Sequence, residues 1–184
     1  MRTRTYGCTI LSALALLVAG CGGSSGADAE AVAWTDDVCG ALSGFTLAAA
    51  RQPRIDRTAP AAAAVQGVSD YLASTSDGLQ QSITALDAVG PSPVDGGDVY
   101  VTRLEDALAR IRTSFEAART QLASVDTTSR EVLATALPAA TAPLQELRTM
   151  PSPTEGLGAN DALRTASERA VNCQQLRSVS SPAG

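Results

Sequence analysis

Eight apolar residues recur through the middle of the chain at alternating spacings of three and four: Val101, Leu104, Leu108, Ile111, Phe115, Ala118, Leu122 and Val125. That rhythm puts one side chain per turn on a single stripe of an α-helix, the seam of a bundle or coiled coil. A helix so patterned has to bury its stripe against other helices, and the remaining segments supply them. Trp34, Val38, Leu42, Phe45 and Ala49 make a stripe on a helix from Val32 to about Arg51, ended by Pro53. Val65, Val68, Leu72, Leu79, Ile83, Leu86 and Val89 make another, starting near Thr58 with Pro60 in its first turn and stopped by Gly90-Pro91-Ser92-Pro93. Asp95 or Asp98 is placed to cap the Val101–Val125 helix. Thr128-Ser129-Arg130-Glu131 matches a capping box opening a fourth helix with Val132, Ala136, Ala140, Leu144 and Leu147 inward, kinked by Pro138 and Pro143. A last helix, about Asp161 to Arg177, turns Leu163, Ala166, Ala170 and Cys173 inward. No segment alternates apolar and polar residues long enough to make a strand. The expected fold is all-α: an antiparallel bundle of four to five helices over residues 31–179, with 180–184 a disordered tail.

The N-terminus follows a different pattern. Arg2 and Arg4 precede an apolar run from about Ile10 to Ala19, which leads into Leu17-Val18-Ala19-Gly20-Cys21. Charge, apolar stretch and small residues in that order resemble a secretory signal over residues 1–20. The run has about ten residues, against the roughly 20 a membrane-spanning helix needs. The small residues end on a cysteine, as in the lipobox of bacterial lipoproteins, where that thiol takes a diacylglycerol and the anchor carries fatty acyl chains such as palmitate. Cys21 is therefore the expected lipidation site. Residues 21–30, with Gly22-Gly23-Ser24-Ser25-Gly26, are expected to be a flexible tether spanning roughly 15–18 Å, long enough for the domain to rotate freely at the outer face of the cytoplasmic membrane.

Of the four cysteines, Cys8 leaves with the signal and Cys21 takes the lipid. Cys39 and Cys173 remain, and an even remainder in an exported chain points to a disulfide. Two thiols without histidine do not make an ordinary zinc site, so no metal site is expected. On the helices above, Cys39 sits near the start of the first and Cys173 near the end of the last. In a strict up-and-down bundle of five these would lie at opposite ends, whereas a disulfide needs Cα atoms within roughly 7 Å. One connection must then break the alternation, either the proline-broken fourth helix or the Pro151–Asn160 linker.

Composition removes several function classes. All 14 basic residues are arginine, and the chain has no histidine. With the signal gone, 12 arginines face 19 acidic residues, a net charge of −7. Such a domain suits neither nucleic acid nor an anionic bilayer, which leaves the lipid as the membrane attachment. Without histidine the commonest general base is absent, and no phosphate loop, dinucleotide turn or nucleophile elbow occurs. Asp36-Asp37 and Glu105-Asp106 are adjacent pairs that diverge on a helix. Asp95-Gly96-Gly97-Asp98 lacks the later ligands of a calcium loop and reads as a turn. No catalytic residue and no cofactor is expected. Arg51, Arg54 and Arg57 cluster in one loop and are the candidate contact for an anionic partner. Tyr71 and Tyr100 need edge positions to satisfy their hydroxyls.

The Trp34-x-x-x-Val38-Cys39-x-x-Leu42 entry into the domain, its helical middle and the late Asn172-Cys173 together resemble small actinobacterial lipoproteins with all-helical mature domains. The resemblance implies the lipid anchor and the paired cysteines, and no mechanism. The expected function is that of a non-enzymatic binding or scaffolding module for a cell-envelope protein. The alternative is a carrier holding an apolar small molecule or lipid between the helices.

Overall fold

The computed structural model describes residues 23–51, 60–129, 155–158 and 160–180, with positions 131, 134, 137, 138 and 142 between them. The expected signal, Cys21, Arg54, Arg57, most of the expected fourth helix and the tail from 181 lie outside the described residues. Among the described residues seven helices have defined bounds, in order: α1 Gly23–Ala41, α2 Ser43–Ala50, α3 Ala61–Asp87, α4 Gly97–Ala123, α5 Glu155–Gly158, α6 Asp161–Arg169 and α7 Val171–Ser180. No strand occurs among the described residues, and the fold is all-α as expected.

The long pair α3 and α4 forms the spine. Leu72, Leu79 and Leu86 on α3 and Leu104, Leu108 and Leu122 on α4 are each 2% exposed or less. They fill the seam that the spacing predicts, and each contributes on the order of 1.5–3 kcal/mol through the apolar surface it removes from water. The two helices run antiparallel. Arg112 on α4 donates to Gln80 on α3, Ser76 donates to Glu116 at 3.5 Å, and the Tyr71 and Phe115 ring centres are 6.5 Å apart. The turn between them closes through Gly96, whose φ of 79° is natural for glycine and strained for other residues.

Neither Asp95 nor Asp98 caps α4, contrary to expectation. Gly96 occupies the N-cap without a side-chain bond. Asp98 instead accepts from the Ser92 backbone N–H at 2.8 Å, which spends the carboxylate on holding the turn. At the far end of α4, Thr128 N–H donates to Asp126 Oδ1 at 2.8 Å and Glu131 N–H to Ser129 Oγ at 3.2 Å. Ser129 therefore serves as the cap beside the Thr128 expected for it. Positions 131, 134, 137, 138 and 142 are helical, Pro138 included, and Leu137 packs against the core.

The single helix expected over Val32–Arg51 is in fact two, α1 and α2, separated at Leu42. The second half lies on a face of α3 that apolar spacing does not mark: Thr75, Ser76, Gly78 and Ser82 are buried. Small residues let the backbones approach, and a Cβ on Gly78 would come within 3.0 Å of Ala48 Cβ and 3.2 Å of the Gly44 carbonyl. Phe45 N–H donates to Ser82 Oγ at 3.3 Å and the Tyr71 hydroxyl to the Ala49 carbonyl at 3.2 Å. Contacts therefore step down α3 as the chain climbs α1 and α2. Trp34 Nε1 donates to Gly90 O at 3.2 Å, Gly44 meets Gly78, and Ala49 meets Tyr71.

Two more boundaries move. α1 starts at Gly23, so residues expected to be a flexible tether are helical. Ala27 through Ala33 contain four alanines and a glutamate, strong helix formers, but this stretch has no apolar stripe and a search for periodicity passes over it. The expected last helix divides at Ala170, whose ψ of 126° is extended, into α6 and α7. These two helices pack on α1.

Candidate functional site

The divisions at Leu42 and Ala170 together create the junction between α1 and α7. They place Cys39 in the last turn of α1 and Cys173 in the first turn of α7, so each cysteine lies at a helix end facing the other. The disulfide forms with a Cα–Cα distance of 5.0 Å across 134 residues of sequence. The crossing connection inferred above is not needed, because α1 begins at Gly23, which puts Cys39 well beyond the start of its helix.

A polar clasp surrounds the bond. Asn172 N–H donates to Asp36 Oδ1 at 2.7 Å, and Asn172 Nδ2 donates to Asp36 Oδ2 at 3.0 Å and to the Asp36 carbonyl at 3.2 Å. Ala170 is the extended residue before α7 and has no side-chain acceptor to cap the helix. The Asp36 carboxylate, supplied from α1, accepts the orphan N–H there and places negative charge at the positive end of the helix. Gly40 admits the clasp, because a Cβ at that position would lie 2.9 Å from Asn172 Nδ2. Cys173 Sγ lies 3.5 Å from the Thr35 carbonyl, and both cysteines are 2% exposed. The adjacent acids Asp36 and Asp37 do diverge as expected: Asp36 turns to α7 and Asp37 to solvent. Sequence reading set Asp36 aside as half of an unproductive pair. Its position three residues before a paired cysteine, matched by Asn172 immediately before the other, was the available signal.

The other candidates separate. Arg51 is exposed at the end of α2, while its expected companions Arg54 and Arg57 lie outside the described residues. Trp34 and Phe115 are core residues and Phe45 is half-buried. Tyr71 satisfies its hydroxyl as expected. Tyr100 does not: the ring is buried, its hydroxyl has no hydrogen-bond partner among the described residues, and burial pushes the phenol well above its ordinary pKa.

Among the described residues, shallow concavities open on the surface. One of about 320 Å³ lies between α1 and α3, lined by Asp37, Gly40, Ala41, Ala85, Ala88 and Val89. Another, of about 210 Å³, lies beside the α3–α4 turn and includes Asp87, Asp98 and Glu105. The Glu105 carboxyl is held above its usual range, first by partial burial and then by the neighbouring Asp87 and Asp106 charges and a hydrogen bond to Asp87. Among the described residues no three histidine, cysteine or acidic side chains gather as a metal site, and no helix is long and apolar enough to cross a membrane. The large apolar residues exposed on the surface, Leu47, Val99 and Val171, sit on three different helices. Comparison of the chain with family models, curated proteins and solved structures finds no match.

Proposed function

We propose that the protein is a lipoprotein acylated at Cys21 that displays a non-enzymatic binding module at the outer face of the cytoplasmic membrane. The observation that carries this reading is the Cys39–Cys173 pairing. A buried structural disulfide suits an exported chain, and it uses both cysteines of the helical domain. Cys21, at the end of its lipobox, is then the thiol that the fold does not need. The filled leucine seam between α3 and α4 favours recognition at the surface over an apolar cargo carried within. Arg51, with Arg54 and Arg57 beside it in sequence, is the contact offered to an anionic region of a cell-envelope protein.

The test has two parts. Metabolic labelling with an alkyne fatty acid should mark the wild-type chain in the membrane fraction. Cys21→Ala should abolish the label and release a soluble, disulfide-bonded domain. Crosslinking in intact cells should then recover a defined partner, and the triple change Arg51→Gln, Arg54→Gln, Arg57→Gln should reduce that yield severalfold. An unlabelled wild-type chain would overturn the anchor. A crosslink indifferent to the three arginines would overturn the contact.

A further inference from the structure

The geometry points to α1 as a rigid stalk that holds the domain upright on the membrane, with the α3–α4 turn facing the lipid and the far end of α4 facing away. This inference rests on the lipid reading of Cys21. Four observations carry it.

First, α1 is continuous from Gly23, two positions after Cys21, to Ala41, a rod of about 28 Å at 1.5 Å per residue. Second, its inner half cannot swivel. It is fixed by the Trp34 bond to Gly90, the Asp36–Asn172 clasp and the disulfide. Third, its outer part projects. Gly26, Asp28, Ala29 and Glu30 are exposed, and the first buried residue is Trp34. Because Trp34 meets Gly90 while Ala49 meets Tyr71, α1 leaves the domain at the α3–α4 turn. The anchor is therefore at that end, and α4 carries the chain about 40 Å away from it.

Fourth, the end nearest the anchor is acidic. Asp28 and Glu30 are on the stalk, Asp95 is in the turn, Asp98 is in the first turn of α4, and Asp87 and Glu105 flank them, with Arg103 the basic residue on the first half of α4; on α6, whose start is bonded to Asp95, Arg164 is paired with Asp161 and Glu168. The second half of α4 carries Arg110, Arg112 and Arg119 against Glu116. Anionic headgroups repel the turn across a Debye length of roughly 8–10 Å; the stalk before Trp34 is about 16 Å long at 1.5 Å per residue, so the repulsion acts when the domain tilts toward the bilayer. Repulsion and stiffness then act together to hold the body of the domain off the bilayer, with its turn end the nearer to the lipid. Arg51 is on the α2 end, away from the turn, where a partner can reach it.

The experiment uses the lipidated full chain in phosphatidylcholine–phosphatidylglycerol vesicles. A fluorescent non-natural amino acid replaces Pro93 in the turn or Thr128 beyond α4, both exposed, with an energy acceptor on the lipid headgroups. Transfer is expected to be severalfold greater from position 93 than from 128. Ala29→Pro, which breaks the exposed stalk without touching the core, should bring the two labels to similar transfer while the vesicle-bound fraction stays unchanged. Equal transfer from both positions in the bound wild-type chain, or a difference that survives Ala29→Pro, overturns the stalk and leaves the anchor standing. A chain that stays off the vesicles overturns the anchor and the stalk together.

Discussion

The α3–α4 pair and the α1–α7 junction hold by different means. The pair is joined along two 27-residue helices by a repeated apolar seam in which no single contact dominates. The junction is joined at one place, by one covalent bond and one carboxylate that caps a helix from 136 residues away. Cohesion spread over a seam should fail as a unit, and cohesion gathered at a point should fail locally. The largest expected effect tests this contrast. Replacing both Cys39 and Cys173 by serine removes a closure of 134 residues, for which the chain-entropy model gives about 5 kcal/mol as an upper figure. Native-state hydrogen exchange should show α6 and α7 losing protection first, with the centres of α3 and α4 exchanging at the slower, global rate. Uniform loss across all helices would mean that the junction is not a separate unit.

The opposite perturbation is Leu104→Ala in the seam, where the side chain is 1% exposed. A buried leucine cut to alanine costs roughly 3 kcal/mol, from the lost transfer energy and the cavity left behind. Here the midpoint of denaturant unfolding should fall while the exchange pattern keeps its order, α7 included, because the disulfide still ties that helix to α1. Asp36→Ala comes next, at about 1–2 kcal/mol, the usual cost of losing a helix cap. Its effect should centre on the amides of Asn172 and Cys173, whereas Asp37→Ala, exposed one residue on, should leave them unchanged.

The same contrast explains what the sequence made legible. Every seam position named on α4 is buried or half-buried, because a stripe facing one neighbour imprints a single period on the chain. Cys39 with Cys173 was legible through counting, since only two thiols remained for the domain. The breaks at Leu42 and Ala170 were not. Ala170 has no proline or glycine beside it and Leu42 only Gly40 and Gly44 two positions away, and each break matches what packs across it: α3's small-residue face on α2, and the Asp36 cap on α7. The helical start at Gly23 was missed for a related reason: the stretch before Trp34 carries no apolar period, and Gly23-Ser24-Ser25-Gly26 are poor helix formers. Asp36 was hidden twice, as a polar residue off the apolar stripe and as a partner remote in sequence.

The smallest effect sits at the end of the seam, where Glu105 on α4 approaches Asp87 on α3. Partial burial first, then the Asp87 charge, raise the Glu105 carboxyl's pKa in the folded state. The fold thus binds this proton more tightly than the unfolded chain does, and the advantage is complete below the unfolded value, near 4.3. It is lost as pH rises through the raised folded value. Asp126 is shifted the opposite way, downward, by its bond from the Thr128 backbone, so its contribution is lost as pH falls. The two must be separated by difference. Glu105→Gln cannot ionise, so its melting temperature minus that of the wild type should be near zero below pH 4. It should become positive as pH rises through the Glu105 transition, reaching about 1–2 °C at pH 7 because water screens this half-exposed site. Asp126 is common to both proteins and cancels. A difference that is flat with pH would mean that the two carboxyls do not meet, and that the turn end of the hairpin is held by its apolar seam alone.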